Sequence, residues 1–344
     1  MFETEDLAPR CQAVLRLVVS EYVKSATPVG SKKIANTFDL GVSPATIRQE
    51  MAALEETGYL THPHTSAGRI PTEKGYRYFV QKLMGEGTLP MAEQRTINHQ
   101  FHQVRLDLDQ WMRLAAAVLA HNAQGAALVT MPKSSHYRIK HLELISIRDT
   151  MVLLILVLQA GIVKQQVIQI ENPINQEELS KIGRKLSDLW QKKSHPEVKA
   201  TLSGLVTLEV EVGQVVLNTL QRLEAYSTAD IYRDGLLNVL SQPGLANTGS
   251  TQQIIRVLEE KPLVETLISD VMQEGGLQVI IGGEGRWENL SDISVVLARY
   301  GIDNEATGAL GVLGPVRMPY ERVVSVVRYM SQLMTDLMTD LYSI

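Results

Sequence analysis

Apolar residues recur with helical spacing between Arg10 and Ala26, at Val14, Leu15, Val18, Val19 and Tyr22, until Thr27-Pro28-Val29-Gly30 breaks the run. This predicts a first helix. Ser31 is placed to cap a second, short helix through Ile34, Ala35 and Phe38, which ends at Leu40-Gly41, where glycine supplies a left-handed turn residue. Ser43-Pro44 opens a third helix, with serine as N-cap and proline at the first helical position, where no donor is lost. Ile47, Met51 and Leu54 form its buried stripe, and the opposite face holds Ala45, Gln49, Ala52 and Ala53, flanked by Thr46 and Arg48. Gly58 ends the helix. Tyr59-Leu60-Thr61 reads as a strand into the loop from His62 to Arg69, Ile70-Pro71-Thr72 returns, and a fourth helix follows with Tyr76, Phe79, Val80 and Leu83 inward. Helix, glycine turn, helix, then hairpin is the order of a winged helix-turn-helix, whose later helix enters a DNA major groove.

The remainder alternates differently. Met91 to Val118 keeps helical spacing with few breakers and predicts one long connecting helix. Ile139 to Ile147, Met151 to Leu158 and Val163 to Ile170 are β-rich runs joined by short turns, as in an antiparallel meander. Asn172-Pro173 breaks this pattern, and helices are expected over Gln176 to Lys192 and Leu202 to Tyr226. Beyond Pro243-Gly244 and Asn247 to Ser250, a helical region from Ile254 to Met272 precedes strands at Gln278 to Ile281, Ile293 to Ala298 and Gly308 to Leu313, then a terminal helix from Tyr320. Strands resuming after an interruption suggest an insertion between two halves of one α/β domain.

The 344 residues suggest two or three domains, and 44% hydrophobic with 21% charged residues excludes a disordered or fibrous chain. Cys11 stands alone, which excludes an internal disulfide and multi-cysteine metal sites. The acidic start, Met1 to Asp6, precedes no secretory apolar core, and the run from Met151 to Leu158 is too short to cross a bilayer as a helix, so a cytoplasmic protein is expected. Net charge is −5, yet residues 1–85 hold ten Lys or Arg against nine Asp or Glu. Within them, Arg69, Lys74, Arg77 and Lys82 face only Glu73 between residues 59 and 82, a small patch suited to phosphates.

The candidate chemistry is therefore DNA contact, assigned to Ser43, Ala45, Thr46, Arg48, Gln49, His64, Arg69, Lys74 and Arg77. Arg48 and Gln49 are the side chains best able to bond base edges, and Arg69, Lys74 and Arg77 suit phosphates. Gly68, at the hairpin tip, suits close backbone approach. Other features read as structural. Gly282-Gly283-Glu284-Gly285 lacks the lysine and spacing of a phosphate loop, and His62-x-His64 and His99-x-x-His102 lack a third metal ligand. Cys11 reads as an inert, partly buried thiol. No nucleophile with a base is visible, so neither an enzyme nor a cofactor is expected.

Pro28 to Ser31, Leu40 to Arg48 and Pro63 to Arg77 closely resemble the winged-helix domain of the heat-inducible transcription repressor family HrcA. Ile281 to Glu284, Ser294 to Val296 and Gly311 to Tyr320 resemble the same family's C-terminal core, while residues 171–250 match mainly in order and length. The resemblance implies an α+β multidomain protein. Its parts would be a winged helix-turn-helix over 1–85, a discontinuous GAF-like core over 86–170 and 251–344, and an inserted dimerisation domain over 171–250. It further implies a homodimer on an inverted-repeat operator upstream of chaperone operons, release on heat stress, and the GroEL chaperonin as a partner that keeps the repressor folded. The alternative is a winged-helix regulator whose GAF-like core senses a small molecule.

Overall fold

Pro9 starts α1 (Pro9–Ser25), which buries Val14, Leu15, Val18 and Val19 and ends at Ala26 in the left-handed region. The structure, a computed structural model, describes residues 6–38, 41–63, 68–85, 87–104, 107–133, 137–159, 162–224, 231–241, 249–282, 290–303 and 306–342. Helix α2 (Ser31–Thr37) is capped by Gly30 and not by Ser31, which is already helical and makes no cap bond. Gly41 takes φ +63°, the left-handed turn expected of it. In α3 (Pro44–Glu56) the Ser43 hydroxyl accepts from the Thr46 amide at 3.1 Å, and Ile47, Met51 and Leu54 are buried as their spacing predicts.

Strands β1 (Leu60–Thr61) and β2 (Ile70–Pro71) pair antiparallel, Leu60 opposite Pro71. The Thr72 hydroxyl then caps α4 (Glu73–Tyr78), which runs into a π-helical turn at Phe79–Leu83. The expected long helix from Met91 is two, α5 (Met91–Gln103) and α6 (Leu108–Ala123). Asp107 makes the difference, since its carboxylate accepts from the Asp109 and Gln110 amides and starts a new helix where periodicity alone would have continued the old one.

The remaining elements are β3 (Ala126–Thr130), β4 (Ile139–Arg148), β5 (Met151–Leu158), β6 (Val163–Gln169), α7 (Gln176–Trp190), α8 (His195–Lys199), α9 (Thr207–Glu224), β7 (Ile231–Asp234) and α10 (Leu236–Leu240). They are followed by α11 (Gly249–Glu259), α12 (Lys261–Glu274), β8 (Leu277–Ile281), β9 (Ile293–Ile302), β10 (Ala306–Pro315) and α13 (Tyr320–Tyr342). The single helical region expected over Ile254 to Met272 is thus broken between α11 and α12, where Pro262 lies in the first turn of the second helix. The loop turns expected near Pro243-Gly244 and Asn247-Thr248 lie outside the described residues, as does Gly283 to Gly285.

The chain divides into two units, one of Met1–Met131, Thr228–Gly301 and Gly308–Ile344, the other of Pro132–Ser227 and Ile302–Thr307. The first holds a five-stranded sheet in the order β7-β3-β10-β9-β8. Strands β3 and β10 are buried along their whole length, as central strands covered on both faces must be. Helices α6 and α13 pack together beside the sheet, α13 burying Val323, Val327, Met330 and Met334.

The second unit is the antiparallel meander β4-β5-β6 with α7, α8 and α9. Leu142, Leu144, Leu154, Leu156 and Ile168 line the inner face and share one core with Leu186, Trp190, Val212 and Val216. An interruption of one sheet was expected, but its start at residue 171 is corrected to about 132, because the meander forms its own three-stranded sheet and joins no strand of the five. Its end moves from 250 to about 227, since β7 belongs to the larger sheet beside β3.

Candidate nucleic-acid interface

Cap, stripe and turn fix α3 by its buried side and leave the other in solvent. Ala45, Arg48 and Gln49 are exposed there. Neither Arg48 nor Gln49 bonds another described residue, so both side chains are available on a rigid helix. Ser43 and Thr46 are partly committed: besides the cap bond, their hydroxyls lie 3.0 Å apart. His64 falls outside the described residues.

The three expected phosphate ligands are all engaged within the chain. Arg69 pairs its backbone with Val29 in both directions at 2.9 Å, and its Nε donates to Glu55 Oε2 at 2.8 Å. Lys74 Nζ donates to the Thr57 carbonyl at 2.8 Å and lies 4.4 Å from the centre of the Tyr59 ring, a cation placed at the C-terminal end of α3. Arg77 Nη2 donates to the Val279 carbonyl on β8 at 2.9 Å, and burial holds its pKa below the usual arginine range. Arg77, expected as a phosphate ligand, thus ties α4 to β8 through this bond.

Gly68 also changes role. A Cβ there would lie 2.5 Å from the Val29 carbonyl carbon and 2.8 Å from that of Pro28, so the close approach is to the protein's own backbone. Here the hairpin is pressed onto the strand-like residue Val29, which lengthens its root beyond two short strands.

Glu55 is the group that residue-by-residue reading missed. Its second oxygen meets His62 Nδ1, so one carboxylate at the end of α3 grips both arms of the hairpin. The His62 contact first, with Arg69 adding to it, holds the Glu55 carboxyl below the ordinary glutamate range against the opposing effect of partial burial. An acid at the end of a helix followed by a histidine and an arginine was visible in the sequence, but no period connects positions 55 and 69.

Nearby, Cys11 Sγ donates to Glu50 Oε2 at 2.9 Å, and burial, with Glu50 beside it, pushes the thiol up to about 11. It stays protonated near neutrality, as an inert thiol should. Among the described residues no cluster of His, Cys, Asp or Glu could hold a metal ion, and no helix is long and apolar enough to cross a membrane.

Residues 109–324 match the family described as HrcA protein C terminal domain. The heat-inducible transcription repressor HrcA of Roseiflexus castenholzii is 43% identical, covering 99% of this chain and 97% of its own length. The protein of that name from Herpetosiphon aurantiacus is 45% identical over 98% and 97%. A crystal structure described as a hypothetical protein at 2.2 Å superposes with a TM-score of 0.58 at 24% identity, covering 97% of this chain and 98% of that one, a likeness of fold.

Proposed function

Because the chain belongs to the HrcA family of heat-inducible transcription repressors, we propose that it silences chaperone operons by binding an inverted-repeat operator as a dimer and releases it under heat stress. The observation that carries this reading is the exposed, uncommitted Arg48 and Gln49 on a helix anchored from behind by Ile47, Met51 and Leu54. In this reading the first 85 residues are a winged helix-turn-helix. Helix α3 enters the major groove, Arg48 and Gln49 bond base edges, Ser43, Ala45 and Thr46 lie close to the backbone at its N-terminal end, and the β1-β2 hairpin with His64 and Arg69 is the wing. Lys74 adds positive charge near the backbone rather than a dedicated contact, because its ammonium already serves Thr57.

An inverted repeat requires two copies related by a twofold axis. The second unit offers a surface for this. On the outer face of its sheet, Ile145 lies opposite Leu153, which lies opposite Val167, and Val157 lies opposite Val163. Val163 and Val167 are about half exposed, as is Ile147 on the same strand as Ile145. An apolar sheet face left in water favours burial against a like face. We read the second unit as the inserted dimerisation domain and the five-stranded sheet as the discontinuous, GAF-like core. Acting on DNA, the protein would work in the cytoplasm.

Release follows from a population argument. A dimer of marginal stability loses its binding-competent fraction on heating, and a chaperonin such as GroEL, implied by the family resemblance, would restore it. The test is a salt-titrated binding assay on an inverted-repeat promoter duplex against a scrambled one, with sedimentation of the free protein. Selective binding by a dimer is expected, and Leu153→Asp with Val167→Asp should yield monomers that bind weakly. Equal, weak binding to both duplexes at low ionic strength would overturn the reading.

A further inference from the structure

Arg69 is held at three points. Two backbone bonds to Val29 at 2.9 Å fix its main chain, and its Nε donates to Glu55 Oε2 at 2.8 Å. Among the described residues nothing bonds its two Nη groups, and the side chain keeps 22% of its exposure. The carboxylate that holds it belongs to the last residue but one of the helix carrying Arg48 and Gln49, and its other oxygen meets His62 on the opposite arm of the hairpin.

We propose that Glu55 is a positioning residue for DNA recognition: it grips Arg69 by Nε so that the two Nη groups form a preset fork for a backbone phosphate, in fixed relation to the base-reading helix. This rests on the operator-binding reading above. Arginine suits the task because its guanidinium is planar, so a carboxylate on the Nε edge orients the remaining donors without consuming all of them. A free arginine at a hairpin would have to give up its rotamer freedom when the duplex arrives, whereas one already held has done so in folding. One carboxylate beside a polyanion is repulsive in itself, so the cost of its charge must be outweighed by what it orders.

That opposition gives the experiment its sign. Full-length wild type is first titrated with the inverted-repeat duplex; if it fails to bind, the operator reading itself falls. If it binds, Glu55→Gln is expected to weaken operator binding about five- to tenfold, the scale of one ordinary hydrogen bond, since the loss is of a positioning contact and not of the phosphate contact itself. The slope of log affinity against log salt should shrink by about one, because Arg69 no longer neutralises its phosphate. In an Arg69→Gln background the same Glu55→Gln change should instead tighten binding, as only the repulsion is then removed. Glu55→Asp, which keeps the charge but shortens the reach, should lose affinity like Glu55→Gln, and thermal melts of each variant identify any that fails to fold. Tighter binding by Glu55→Gln in the otherwise wild-type protein, or wild-type behaviour of a folded Glu55→Asp, would overturn the proposal while leaving operator binding intact.

Discussion

Arg317 Nη1 donates to the Val23 carbonyl at 2.9 Å, so a residue 294 positions away closes the C-terminal end of the first helix. Val23 belongs to the last turn of α1, where carbonyls lack helical partners and a cation is favoured by the helix dipole. Arg77 makes the complementary bond from α4 to Val279 of β8. Arg317→Ala and Arg77→Ala should each lower the stability of the full chain by about 1–2 kcal/mol, measured by denaturant unfolding. Arg77→Ala should leave the salt slope of DNA binding unchanged, and a slope reduced by about one would return this arginine to the phosphate backbone.

Beside these ties, the Tyr76 ring packs on Tyr320, 5.6 Å between centres. Its hydroxyl is buried with no hydrogen-bond partner among the described residues, and burial pushes its pKa well above the tyrosine range. A buried hydroxyl without a partner costs free energy that a phenyl ring does not. Tyr76→Phe should therefore raise the melting temperature, with a gain of about 1 kcal/mol. A clear loss of stability would mean that the hydroxyl has a partner such as ordered water.

Arg48 is exposed on α3 and bonds no other described residue, so its loss should leave folding untouched. Arg48→Ala should reduce discrimination between the operator and single-base variants by about 1–3 kcal/mol at its own base pair. A uniform loss across all sequences would instead make it a phosphate contact. Competition binding with a panel of substituted duplexes separates the two.

The Glu55 carboxyl is held below its ordinary value of 4.5 by His62 and then by Arg69. A depressed folded-state pKa stabilises the native form above the unfolded value, and that contribution is lost as pH falls through the folded one. Wild type should be the more stable of wild type and Glu55→Gln at neutral pH, with the gap closing below about pH 4.5. Urea midpoints of the two proteins across an acid series check this, and a gap that persists at the most acidic point would sink it.

Much of the first 85 residues was legible because its signals are local. The Ser43 cap, the left-handed Gly41 and the stripe Ile47, Met51 and Leu54 each depend on residues within a few positions of one another. The antiparallel meander was equally plain from three β-rich runs, Met151 to Leu158 among them, joined by short turns. Asp107 was readable in principle, as a cap preceding an apolar run, but the continuing helical period masked it.

The sequence by itself settled the helices and the hairpin of the first 85 residues, the meander strands and the terminal helix, since backbone sterics, caps and side-chain period act over one or two turns. The short strands β3 and β7 carry too little local pattern to be read. Tertiary structure alone decided that Arg77 meets Val279, that Arg69 meets Glu55, and that the meander forms a sheet apart from β3 and β10. A charge on a long flexible stem is satisfied by whichever carbonyl or carboxylate the fold brings within about 3 Å, and no periodicity records that meeting.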